Sequence, residues 1–202
     1  MNRRSIWVAL YAIAMAFVEA AVVVYLRALA PTLGQIPAIE QGREAATIVM
    51  LLAVAVLAGG DSWGRFLFFC LAFGIWDLFY YAWLRVLTGW PPSLLTSDVL
   101  FLIPVPWVAP VLAPVIVSLG LVAVSLWLLK LRERGVIVRF SPRVWAIALG
   151  GGALVLLSFM LDYRRALQSP DPPAFHWILF GTGVSVAVAA LVTGVRRRPP
   201  RG

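Results

Sequence analysis

The sequence predicts an all-α fold, a polytopic bundle of about six transmembrane helices, on three observations. The chain is 62% hydrophobic and only 13% charged, with a mean hydropathy of +0.92; a soluble domain is roughly 45–50% apolar and about 25% charged. Its apolar runs match the ~20 residues needed to cross hydrocarbon. Its basic residues stand at the ends of those runs, where Lys and Arg fix membrane orientation. At 202 residues the expectation is a single integral-membrane domain, 1–202, with no room for a second.

The first run, from about Ile6 to Leu26, follows Arg3 and Arg4. It resembles a signal sequence but exceeds the ~7–15 residues of a signal-peptide core, so a retained helix is expected over 5–28. Further spans are expected over 44–60, 65–87, 99–129, 143–161 and 174–195. The second is short for lipid, and Ala38 to Glu44 reads as its interfacial turn. The fourth is too long for one straight helix and holds Pro104, Pro106, Pro110 and Pro114, each removing a backbone donor. Residues 93–106 are therefore expected to form an interfacial or re-entrant piece, with the true span beginning near Trp107.

Six spans put both termini on one side. With the N-terminus inside, the inner face carries Arg3, Arg4, Arg65, Lys130, Arg132, Arg134, Arg139, Arg143, Arg196, Arg197, Arg198 and Arg201. Outside fall Arg27, Arg43, Arg85, Arg164 and Arg165. Twelve against five favours N-in, C-in, in an inner membrane with both termini cytoplasmic. The basic loop 129–143 reads as an anchor on anionic lipid, and RRRPPRG as an anchor followed by a disordered end.

The net charge of +8 does not point to nucleic acid, because no contiguous soluble surface remains to hold a basic patch. The expected partners are the lipid bilayer and other membrane subunits. One cysteine, Cys70, and one histidine, His176, rule out an intrachain disulfide and the ordinary His/Cys metal sites; no metal and no cofactor are expected. The chain has no HExxH, no GxGD-like aspartate pair, no histidine cluster and no Gly-x-Ser with a partner histidine. Whether it is an enzyme is left open, with the balance against.

Chemistry must then rest on carboxylates. Of the nine acidic residues, Glu40, Glu44, Asp61, Glu133, Asp162 and Asp171 read as flanking spans or lying in loops. Glu19 and Asp77 fall inside apolar runs, where an acid costs about 2.5–3.5 kcal/mol and normally faces the interior with a partner. At 1.5 Å per residue both lie at the centre or in the outer half, Glu19 about 20 Å and Asp77 about 15–18 Å along their helices. Asp98 enters from the outer side, and the three levels allow all of them to meet in one polar pocket. They read either as a proton, cation or ligand site or as a hydrogen-bonded staple between helices.

The remaining candidates surround these acids. Tyr80 and Tyr81 follow Asp77 by three and four residues, on the same helical face, where a phenol can donate to the carboxylate. Arg27 and Arg85 each follow an acid by eight residues, as snorkelling interfacial arginines or as the mouth of a path to the acids. Thr96, Ser97 and Asp98 are N-cap candidates for a helix starting near Val99. His176 stands at the outer start of the last span, either structural or a proton relay suited to neutral pH. Gly150–Gly152 and Gly181–Gly183 are expected to permit close helix packing.

The pieces FVEAAVVVYLR, WDLFYY and GWPPSLLTSDVLFLIPVPWVAPVLAP resemble a family of uncharacterised small bacterial polytopic membrane proteins. The resemblance covers about residues 15–30 and 73–116. It implies a bacterial inner-membrane location, and it adds no activity and no catalytic residue. Three functional readings follow: a carboxylate site in the outer half of the bundle, a structural or assembly subunit of a larger membrane complex, and, last, a carboxylate-dependent lipid-modifying enzyme.

Overall fold

The computed structural model describes residues 2–29, 36–161, 163–168, 174–194 and 196–198. The fold is all-α, and six of its helices are long and apolar enough to cross a membrane. In chain order these are α1 (Arg3–Leu29), α2 (Ile36–Ala58), α3 (Ser62–Thr88), α4 (Leu112–Glu133), α5 (Pro142–Met160) and, after the short α6 (Tyr163–Gln168), α7 (Trp177–Gly194). Two small antiparallel sheets join them: β1 (Ser97–Phe101) with β2 (Trp107–Pro110), and β3 (Ile137–Arg139) with β4 (Arg196–Arg198).

The helix ends follow from local chemistry. Asn2 accepts from the Ser5 N–H at 2.7 Å and Asp61 from Gly64 at 2.7 Å, each satisfying an orphan donor of a first turn. Ser141 caps α5, with Pro142 in the first turn, where a missing N–H costs nothing. Gly89 closes α3 at φ 73°, its N–H donating to the Arg85 carbonyl; a side chain would be strained in that left-handed conformation.

Chain contacts divide the molecule into two compact units. The first holds residues 1–96 and 114–129, in which α1 and α2 pack on α3. Its core includes Ala12, Ala16 and Ala20 of α1 with Leu67, Leu71 and Leu84 of α3, all 0–2% exposed. Residues 114–129 of α4 approach α3 at Gly74, where an added Cβ would stand 2.8 Å from the Ser118 carbonyl.

The second unit holds residues 97–113 and 130–202 and is centred on α5 against α7. Gly151 and Gly183 oppose each other there. A Cβ on Gly151 would lie 2.7 Å from the Gly183 carbonyl oxygen, and one on Gly183 would lie 2.7 Å from the Gly151 carbonyl oxygen. The expected close packing is thus carried by these two glycines, while Gly150, Gly152 and Gly181 have open space beside them.

Large apolar side chains lie bare on both units, among them Trp7, Leu57 and Val86 in the first and Leu149 and Ile178 in the second, each 66–88% exposed. Such surfaces are costly in water and ordinary against lipid. Together with the six helices they give the architecture of a multi-pass membrane protein.

Three expectations are corrected. The second span does not begin at 44 with an interfacial turn before it: α2 is one helix from Ile36, because Arg43 and Thr47 find partners on α1. The fourth span begins neither at 99 nor near Trp107: β1 and β2 pair in register from Ser97↔Pro110 to Phe101↔Trp107, and α4 starts only at Leu112. The prolines explain this, since Pro104 and Pro106 lie between the strands, Pro110 ends β2, and Pro114 sits in the first turn of α4, where its missing donor has no intrahelical role. Asp98 is therefore a strand residue opposite Ala109 and caps no helix. Arg196–Arg198, the part of the tail expected as an anchor, form β4; the expected disordered end with Arg201, and also Asp162 and Asp171, lie outside the described residues.

Candidate functional site

The first unit gathers charge around one guanidinium. Arg43, on α2, donates through Nη1 to Glu19 Oε2 on α1. The same side chain donates through Nε (2.9 Å) and Nη2 (2.6 Å) to Glu40 Oε2, one turn earlier on α2. Thr47, one turn later, donates its hydroxyl to Glu19 Oε1, with the Arg43 carbonyl 3.0 Å away. The spacing 40, 43, 47 puts all three on one helical face, and Glu19 presents its carboxylate to that face.

Burial makes this cluster more than a surface ion pair. Glu19 is 4% and Glu44 7% exposed, and Thr47 is fully buried. The Arg43 and Glu40 side chains each retain 18%, so one side of the cluster remains open. Glu44 and Tyr80 of α3 lie within electrostatic reach of the guanidinium. Tyr80 packs on the Ala20, Val23 and Leu84 cluster, beside Glu19 in sequence. An ion pair this buried loses heavily if one partner is removed, because the other is left charged in a medium of low dielectric.

Glu44 was expected where water reaches it and is instead buried; Arg43 was expected as an outer topology anchor and instead holds Glu19. Arg43 is the residue sequence reasoning missed. The signal was there in the Glu40, Arg43, Thr47 spacing and in the need of Glu19 for a donor.

Asp77 forms a second polar contact. It is half-buried on α3 and accepts from the Ser118 hydroxyl of α4 at 2.8 Å, one turn from the Gly74 crossing. Tyr81 is 6% exposed; its ring meets Tyr80 edge-on at 5.3 Å and lies 6.2 Å from that of Trp90. Asp77 thus meets Ser118 on α4, Glu19 meets Arg43 and Thr47 on α2, and Tyr80 shares α3 with Asp77.

The other candidates fall as follows. Arg85 is exposed and donates to the carbonyls of Gly89 and, at 2.8 Å, Pro91, which ties the chain just past the end of α3. Arg27 lies in α1, but its side chain is outside the described residues. Asp98 and His176 belong to the second unit; His176 is exposed, and its carbonyl accepts the Phe180 N–H at 3.0 Å. Among the described residues no group of three His, Cys, Asp or Glu side chains is arranged to hold a metal ion.

No protein-family model, curated protein or solved structure matches this chain. The membrane architecture and the charged cluster carry the functional argument by themselves.

Proposed function

We propose that this chain is a multi-pass protein of a bacterial inner membrane, with both termini cytoplasmic, whose first unit carries a proton-binding carboxylate site. The location rests on the family resemblance, and the orientation on the twelve-to-five division of basic residues. In that orientation Glu19, Arg43 and Glu40 lie toward the outer ends of α1 and α2.

One observation carries the site. Two carboxylates, Glu19 on α1 and Glu40 on α2, accept from the single guanidinium of Arg43, and Glu19 is 4% exposed. Burial disfavours the charged form of a carboxyl, so a proton held within this cluster lowers the cost of keeping two acids on one cation. The half-open Glu40 side gives that proton a path, and a metal ion is a poorer fit to the donor arrangement.

The test is infrared spectroscopy of the purified protein in lipid nanodiscs across roughly pH 4 to 9, a range that covers buried carboxyls. The expected result is a protonated-carboxyl band that titrates and disappears in Glu19→Gln or Glu40→Gln. A wild-type protein without any such band sinks the proposal.

A second reading has its own support: both Glu19 oxygens are already occupied, by Arg43 and Thr47. On this reading the cluster is a staple within a structural or assembly subunit. Native mass spectrometry after gentle detergent extraction separates the two, since a subunit co-purifies with fixed partners and a self-sufficient protein does not.

A further inference from the structure

The end of the second unit where α4 finishes, α5 begins and β4 follows α7 concentrates positive charge through a pairing between distant segments. Strand β3 lies in the loop between α4 and α5, and β4 comes from the tail after α7. Their antiparallel register sets Ile137 opposite Arg198, Val138 opposite Arg197 and Arg139 opposite Arg196. The pairing adds the three tail arginines to a loop that already carries Lys130, Arg132, Arg134, Arg139 and Arg143. Against these eight cations the same segments, 130–143 and 196–198, hold one acid, Glu133.

The sheet terminates a helix pair whose bare side chains, Ile147 and Leu149 of α5 and Val192 of α7, are 52–66% exposed and suited to lipid. The charge therefore lies at the level where apolar chains give way to headgroups.

We infer that the β3–β4 sheet and its flanking helix ends form a binding site for the phosphate headgroups of anionic phospholipid, completed only when the tail strand docks on the loop. The nucleic-acid reading fits less well, because a duplex or single strand needs a water-facing groove, whereas this patch continues directly into lipid-facing helices. The inference is independent of the carboxylate cluster, which lies in the other unit.

The experiment compares the full-length protein in detergent micelles doped with phosphatidylglycerol or with phosphatidylcholine, with retained lipid counted by native mass spectrometry. Phosphatidylglycerol is expected to be retained preferentially, and raising the salt is expected to remove that preference, since screening weakens exposed charge contacts. Replacing Arg196, Arg197 and Arg198 by Gln is expected to weaken retention about 100-fold, from about fivefold per arginine. Replacement by Lys is expected to preserve most of it, which guards against reading a folding defect as lost binding. Arg164→Gln with Arg165→Gln, at the opposite end of α5, is expected to change nothing.

Equal retention of the two lipids by the native protein overturns the site. So does a Gln triple variant that folds and keeps its preference. Displacement of phosphatidylglycerol by inorganic phosphate at equal concentration assigns the site to free phosphate instead, and tighter binding of a single-stranded oligonucleotide assigns it to nucleic acid; either result overturns the lipid assignment.

Discussion

The two units solve the same problem by opposite means. Lipid tails are as apolar as leucine, so helices in a membrane gain little from hydrophobic burial against one another and must associate through packing and polar contacts. The second unit does it with absence: Gly151 and Gly183 let α5 and α7 approach until each glycine Cα nearly touches the other's backbone. The first unit adds charge, joining α1 to α2 through Glu19, Arg43 and Thr47 and meeting α4 through Asp77 and Ser118. A glycine contact has one state. A carboxylate cluster has at least two, protonated and ionised, and this is why the functional argument falls on the first unit.

Breaking the charged clamp is expected to have the largest effect. Arg43→Ala leaves Glu19 buried without its counter-charge, at a cost of about 3–5 kcal/mol, read as a lowered unfolding midpoint in mixed micelles. Glu19→Gln with Arg43→Gln together is expected to recover much of that loss, and a double variant as unstable as the single one contradicts the pairing. In the other unit, Gly183→Ala drives a methyl into backbone and is expected to cost about 1–3 kcal/mol. Gly181→Ala, with open space around it, is expected to be neutral or slightly stabilising in the same assay.

Smaller effects sharpen the contrast. Ser118→Ala removes one hydrogen bond to Asp77, about 1 kcal/mol. Gly74→Ala, which brings a methyl within 2.9 Å of Val122 Cγ2, is expected to exceed it, since it separates α3 from α4 as well. A Gly74→Ala variant as stable as the native protein by thermal unfolding places the α3–α4 approach elsewhere. Smallest of all is Arg85→Lys: one ammonium can still reach the Gly89 or Pro91 carbonyl, and a shift of no more than a few tenths of a kcal/mol is expected for so exposed a contact.

The helices were legible because length and apolarity in a membrane leave few alternatives. Glu19 and Asp77 stood out for the same reason, as charges where charge is expensive. Arg43 did not, because a hydropathy window averages Gln41-Gly42-Arg43-Glu44 into a polar gap and hides the helix that carries it. The β1–β2 hairpin was hidden by a different limit. An apolar run shows no period that separates strand from helix, and the prolines between Ile103 and Pro110 warned of irregular backbone without saying that Ser97–Phe101 would fold back on Trp107–Pro110. Pairing of β3 with β4 depends on bringing residues about sixty apart together, which no local pattern encodes.

Arg43 also works as a mechanical notch. Its three nitrogens are held at once by a carboxylate one turn away on the same helix and by another on the neighbour, which fixes both the rotation of α2 and its height along α1. A slide of one residue would turn the guanidinium by about 100° and lose Glu19 altogether. The same face returns only after a full turn of about 5.4 Å, so the clamp defines a single register between α1 and α2.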